Sequence, residues 1–248
     1  MKNIILILLV FGCIGANGQQ IHVKYLYVRS PAVTIYENLY INENKNVISI
    51  QDSLRNKGDN LNGLSQNTFV SDAYYYISDM DKVDDRDFLF TEELDSQRFF
   101  VYDSNIKMND WTIHEKERKK IAGYICIKAT TIFRGTELVA YYAPDLKYSA
   151  GPYKFFGLPG LILEIKVKDR PYLMWKADSV DLDSKKEVVY KPKFSKHHNI
   201  GIRDYVEKRD QKIKNFNTEA RRNLPEGTEV KSMVPNFRFG VEAKYEWE

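Results

Sequence analysis

The side chains that could carry chemistry in this chain are few and scattered. Four histidines stand at positions 22, 114, 197 and 198. His22 and His114 lie in stretches of alternating polarity, and His197 and His198 are adjacent. Adjacent residues of an extended chain point to opposite faces, so that pair is a poor chelate. Zinc takes three or four convergent ligands, and neither a His-Glu-x-x-His motif nor paired cysteines are present. No metal site and no cofactor are expected. The Gly-x-Ser-x-Gly elbow of a serine nucleophile is absent. Cys126 alternates with Tyr124 in an apolar stretch and reads as a packed core thiol, since a reactive one needs a neighbouring base. Glu92-Glu93 and Asp84-Asp85 read as ordinary surface carboxylates. They belong to an acidic run, Asp79 to Asp95, with eight Asp/Glu against Lys82 and Arg86. Lacking the glycine and spacing of a calcium loop, it reads as a solvated loop or helix edge. No catalytic residue is nominated, and a hydrolase could arise only from groups that folding brings together.

The elements that would position a site are easier to read. Ile21 to Arg29, Val33 to Ile41 and Val47 to Ile50 carry strand signals with turn residues between them. Ser53 to Thr68, rich in Asn, Ser and Gly, reads as a loop. Tyr74 to Ile77 and Arg98 to Tyr102 read as further strands. From Trp111 to Tyr142 the alternation is strongest. Ile121, Ile125 and Ile127 share one face, with Gly123 between them, and Tyr124, Cys126 and Lys128 share the other. Phe133-Arg134-Gly135-Thr136 is a turn from which Glu137 to Tyr142 returns as a hairpin. Leu161, Leu163, Ile165 and Val167 then share a face opposite Glu164, Lys166 and Lys168, the pattern of a strand with one wetter side. Tyr172 to Val180 pairs with it across Asp169-Arg170-Pro171. One segment is helical. Ile202, Tyr205, Val206, Ile213, Phe216 and Ala220 recur at helical spacing near 202–222. It lies within the basic pole Lys191 to Arg222, which has ten Lys/Arg against four Asp/Glu. Strands joined in sequence by short turns imply a mainly β protein: a curved antiparallel sheet or half-barrel with a few covering helices.

The chain opens as an export leader. Lys2 precedes the apolar run Ile4 to Phe11, and Ala16-Asn17-Gly18 supplies small residues before Gln19. Cleavage after Gly18 is favoured over lipidation at Cys13, leaving a single domain at 19–248 in the periplasm, at the outer membrane or secreted. That domain keeps one cysteine, Cys126, so no internal disulfide forms. No later segment is apolar for the roughly 20 residues a membrane-spanning helix needs. The formal charge of +3, or +2 without Lys2, argues against a nucleic-acid partner. The aromatic share is 13%, with 17 tyrosines, which suits half-buried pleated surfaces.

Between the hairpin and the next strand lies Gly157-Leu158-Pro159-Gly160-Leu161-Ile162. With Gly151 and Pro152 upstream, three glycines and two prolines fall within ten residues. Leu158-Pro159-Gly160-Leu161 fits a type II turn, with glycine taking the positive φ. Phe155, Phe156, Leu158 and Leu161 line this crossing. It carries no phosphate-loop feature. On the hexapeptide, on Trp111, on Lys120 to Ala129, on Ala140-Tyr141-Tyr142 and on Gly151 to Phe156, the chain resembles the GLPGLI family, exported and uncharacterised proteins of Bacteroidota. Tyr141 stands where many members have tryptophan. The resemblance covers roughly residues 111 to 168 and implies export and fold, with no catalytic residues. A more distant similarity is to periplasmic lipoprotein carriers, whose curved half-barrels have an apolar concave face.

These features imply an exported, non-catalytic cell-envelope protein. Its partner would be an apolar or extended ligand, lipid-like or peptide, or an outer-membrane protein. Trp111, Tyr124, Tyr141, Tyr142, Phe155, Phe156 and Leu158 are the expected ligand-binding residues. The alternatives are the hydrolase assembled by folding and a structural subunit of an outer-membrane assembly that docks through its basic helix.

Overall fold

Strict alternation sets the sheet. In strand β1 (Ile21–Ser30) Ile21, Val23, Tyr25 and Tyr27 are buried while the residues between them are part-exposed. That two-residue period lets one face carry the core. The structure is a computed structural model that describes residues 20–52, 73–81, 85–108, 110–170, 172–222 and 240–248. The expected leader, Cys13, the loop of 53–68 and Asp84 lie outside the described residues.

The remaining strands are β2 (Val33–Ile41), β3 (Asn46–Gln51), β4 (Tyr74–Asp79), β5 (Arg86–Leu94), β6 (Gln97–Ile106), β7 (Thr112–Ile121), β8 (Tyr124–Phe133), β9 (Thr136–Ala143), β10 (Leu161–Val167), β11 (Met174–Asp181) and β12 (His198–Gly201), followed by helix α1 (Ile202–Arg222). Among the described residues they form one open sheet in the order β12-β6-β5-β4-β3-β2-β1-β11-β10-β9-β8-β7. Neighbours run antiparallel, except that β12 lies parallel to β6. Three of the two-residue hairpin turns, Asp95-Ser96, Ala122-Gly123 and Arg134-Gly135, have positive φ at both positions. Paired positive φ gives the turn whose twist matches that of the strands.

The sheet curls so far that its two ends meet. Arg134, in the β8–β9 turn, bonds Asp103 on β6. The crossing of residues 144–160 fills the trough between them. Phe155, Phe156, Leu158, Leu161 and Ile162 are all buried there, in the same core as Tyr25, Leu39, Phe88 and Trp175. The glycines of the hexapeptide serve different demands. Gly157 has φ +90, and a side chain on it would strike the Met108 carbonyl. Gly160 lies outside the positive-φ region, so the expected type II turn is not formed. It is glycine because a side chain would strike the Ala143 carbonyl.

Three other expectations are corrected. The acidic run is not a solvated loop from 86 onward: it is β5, with Arg86, Phe88 and Phe90 buried at a two-residue period that its charges disguise. Ile121 and Ile125 do not share a face, because the chain reverses at Ala122-Gly123. Ile125 is 48% exposed while Cys126 is buried as expected. The wetter face of β10 is covered, and Glu164 is buried against Lys119 at 2.6 Å. The helix runs over 202–222 as expected, but not all of its apolar positions pack. Tyr205 and Val206 are buried and Phe216 is 51% exposed.

Candidate ligand-binding site

Where β1, β4, β5, β11 and the start of α1 converge, a cavity of about 500 Å³ opens. That falls within the roughly 300–1,000 Å³ of small-molecule sites. Its wall is aromatic. Tyr27 stacks on Trp175 at 4.1 Å, Tyr153 follows at 5.9 Å on the same indole, and Tyr76 meets Tyr153 edge-on at 4.8 Å. Tyr205 from α1 and Tyr245 from the C-terminal segment complete it. Strand alternation explains the first part of this wall. Tyr27 and Trp175 are directly paired across β1 and β11, and Tyr76 is paired with Phe90 across β4 and β5.

Tyr153 is held by hydrogen bonds at both ends. Its φ is +55, a costly conformation for a bulky residue. Its N–H donates to Glu37, and its hydroxyl donates to Glu242 at 2.8 Å. Glu37, fully buried on β2, also accepts from Ser49 at 2.5 Å, from Gln51 at 2.8 Å and from Trp175 Nε1 at 2.8 Å. Burial pushes the Glu37 carboxyl up, and these donors oppose that push. Four donors on one carboxylate tie β2, β3, β11 and the crossing together at the pocket floor.

Behind the pocket lies a closed ion network. Arg134 grips Asp103 with two bonds of 2.8 Å, and it also pairs with Glu242 and Glu246. Lys154, fully buried, pairs with Asp103 at 2.8 Å and Glu242 at 2.6 Å. Its ammonium also lies 4.5 Å from the centre of the Phe90 ring. Burial alone would raise both acids, but Lys154 and Arg134 outweigh it and hold Asp103 and Glu242 below their ordinary values. Glu242 therefore reaches the pocket as an ionised group already neutralised from behind.

Glu92 on β5 is different. It lines the pocket with no ion pair among the described residues, and its hydrogen-bond contact is with the Tyr205 hydroxyl at 3.5 Å, the long limit of a hydrogen bond. Burial pushes its carboxyl up to about 7, against the pull of Lys154, Arg209 and Arg29. Arg29, Arg170 and Arg209 add three guanidiniums to the wall.

The seven expected ligand-binding residues lie elsewhere, and none lines this pocket. Tyr142, Phe155, Phe156 and Leu158 are buried core, and Trp111, Tyr124 and Tyr141 are half-buried against it. The structure brings Trp111 and Phe156 together, with the indole donating to the Phe156 carbonyl at 2.9 Å. Lys119 sits 4.9 Å from the centre of the Tyr141 ring. The histidines do not converge: His22 bonds Asn38, His114 bonds Thr130, and the adjacent His197 and His198 lie against different rings, Phe194 and Phe99. The sequence reading missed Tyr27, Tyr76, Glu92, Tyr153, Trp175 and Glu242. Tyr27 and Trp175 fell inside expected strands, and that placement was the signal that could have found them.

Residues 132–164 match a family described as Protein of unknown function (Porph_ging). This stretch runs from the end of β8 through the hexapeptide into β10. No curated protein matches. Two solved structures of PNGF-II, in the P21 and C2 space groups, are similar in fold, each with a TM-score of 0.51 at 16% identity. Each alignment covers 76% of this chain and 32% of the other, so this chain spans about a third of that protein's length. A likeness at this identity shows a common fold and nothing of activity.

Proposed function

We propose that this is an exported, non-catalytic binding protein of the cell envelope, and that the aromatic pocket is where it holds its ligand. The export leader read at Lys2 to Gly18 and the resemblance to the GLPGLI family support the envelope assignment. The observation that carries binding is the pocket itself: about 500 Å³, walled by stacked aromatics, with polar groups converging on it. An apolar carrier's cavity would lack those polar groups, so the ligand has polar or charged parts beside its apolar ones. The polar half of the wall counts against a purely lipid-like occupant. Among the described residues no helix is long and apolar enough to cross a membrane.

The test is native mass spectrometry of the full chain purified from its producing envelope, beside Ser30→Trp, which sets an indole at the pocket wall. Wild type is expected to carry an extra mass that the folded variant lacks. Wild type without any bound mass would sink the proposal. Intact mass also reports the leader: a chain starting at Gln19 is expected, and a lipidated Cys13 would contradict it.

A second reading, the hydrolase, is favoured by one observation. Glu92 holds a proton to about 7 while Glu242 is kept ionised on the same wall. Two carboxyls pushed apart in this way can serve as acid and base. Shortened products from the co-purified ligand, lost in Glu92→Gln, would select it over simple binding.

A further inference from the structure

We infer that the ligand of this pocket is an acidic saccharide, one to three sugar rings bearing a carboxylate; this rests on the binding function proposed above. Two hydroxyls on the wall are left unused by the protein. Tyr27 and Tyr76 are only 8% and 6% exposed, and no hydrogen bond among the described residues takes up either hydroxyl. Neither oxygen is sealed off from the cavity, so an occupant that closes over them must supply their hydrogen bonds. A ligand that both donates and accepts, as a sugar hydroxyl does, meets that requirement. An alkyl chain does not.

The second observation is charge. The guanidiniums of Arg29, at the end of β1, and Arg170, in the β10–β11 turn, form no ion pair or hydrogen bond among the described residues. Arg209 reaches the same space from α1. Arg209 is already paired with Asp210, so it is Arg29 and Arg170 that the pocket sets against Glu92 and Glu242, and Lys154 and Arg134 already neutralise Glu242. The wall is therefore cation-rich toward a ligand. A guanidinium grips a planar carboxylate through two parallel bonds, which fixes orientation as well as charge. The third observation is the aromatic wall. Free phosphate would satisfy the arginines and leave the rings with nothing to cover, whereas a sugar ring offers them its C–H surface. An acidic sugar meets all three sets of groups at once.

Isothermal titration calorimetry on the full chain tests this. The probes are a panel of uronate- and neuraminate-containing di- and trisaccharides, each beside its neutral counterpart, with inorganic phosphate and oleate as other chemistries. At least one acidic sugar is expected to bind tenfold or more tighter than its neutral counterpart. Arg29→Ala/Arg170→Ala should remove that tenfold preference, bringing the acidic sugar down to the affinity of its neutral counterpart. Tyr27→Phe/Tyr76→Phe should weaken acidic and neutral sugars alike. Equal affinity for acidic and neutral sugars overturns the inference, as does binding of phosphate or oleate alone, or of nothing in the panel. Its failure is separable from that of the binding function. A co-purified mass of another chemistry, absent from Ser30→Trp, would end the acidic-sugar assignment and keep the pocket. No co-purified mass at all would end both.

Discussion

Two assemblies of charges and aromatic rings share one wall in this molecule, and they differ in completeness. Behind the wall, Arg134 and Lys154 are matched with Asp103 and Glu242 at 2.6–2.8 Å or closer. In front of it, among the described residues, Glu92 stands without an ion pair, the Arg29 and Arg170 guanidiniums make no hydrogen bond or ion pair, and two tyrosine hydroxyls are unused. The same residue types build both. What separates them is whether the protein supplies the complement of each charge. A closed network fixes the meeting of the sheet's two ends. An open one leaves its complement to a ligand. This difference makes the first assembly a matter of stability and the second a matter of binding, and substitutions in each should fail differently.

The largest effect is expected in the closed network. Lys154→Met leaves an uncompensated buried carboxylate, which costs roughly 3–5 kcal/mol and lowers Tm by on the order of 10 °C in a domain of this size. Thermal unfolding followed by circular dichroism measures it. A shift under 2 °C would show that the ion network does not hold the curl.

Next comes the hexapeptide. Gly157→Ala must keep φ at +90 and move its methyl group clear of the Met108 carbonyl. A cost of about 2–4 kcal/mol follows from the combined strain and clash. Urea midpoints report it, and an unchanged midpoint would contradict the steric account of this motif.

Smaller again is the pH signature of the open assembly. Glu92 faces Lys154, Arg209, Arg29, Glu242 and the Tyr205 hydroxyl. Its carboxyl, raised to about 7 by burial, favours the folded state most below the ordinary glutamate value, and that contribution fades as pH rises through about 7. Glu92→Gln removes the dependence. Relative to wild type, the variant should gain about 1 kcal/mol in denaturant stability between pH 5 and pH 8, allowing for the pocket's solvent. Parallel stability curves for the two proteins would show that Glu92 sits in an ordinary aqueous setting.

The smallest stability effect is expected at the pocket rim. Arg29→Ala and Arg170→Ala break no side-chain hydrogen bond or ion pair among the described residues, so each should stay within about 0.5 kcal/mol of wild type. A larger loss would move these arginines from the open assembly to the closed one.

Much of the fold was legible in the sequence because its signals are local. The alternation in Ile21 to Arg29, the Arg134-Gly135 turn and the helical spacing from Ile202 each lie within one short stretch. Cys126 was legible as core for the same reason. The acidic run was misread because charge outweighed the alternation of Arg86, Phe88 and Phe90. The candidate site was far less legible. Arg134 and Glu242 are 108 residues apart, and Trp175 and Glu37 are 138 apart. No spacing rule joins them, and only the curl of the sheet does. The seven aromatic and apolar residues expected to bind carry the family motif and its surroundings, and the structure uses four of them as core. The motif stretch supplies the pocket with one residue the sequence reading did not single out, Tyr153.

The most direct test is a crystal structure of the protein purified without denaturation from its producing envelope. The account expects a bound molecule in the pocket, touching the Tyr27 and Tyr76 hydroxyls and the Arg29 or Arg170 guanidinium. A bound molecule at Trp111 and Tyr141 instead, with this pocket empty, would contradict it.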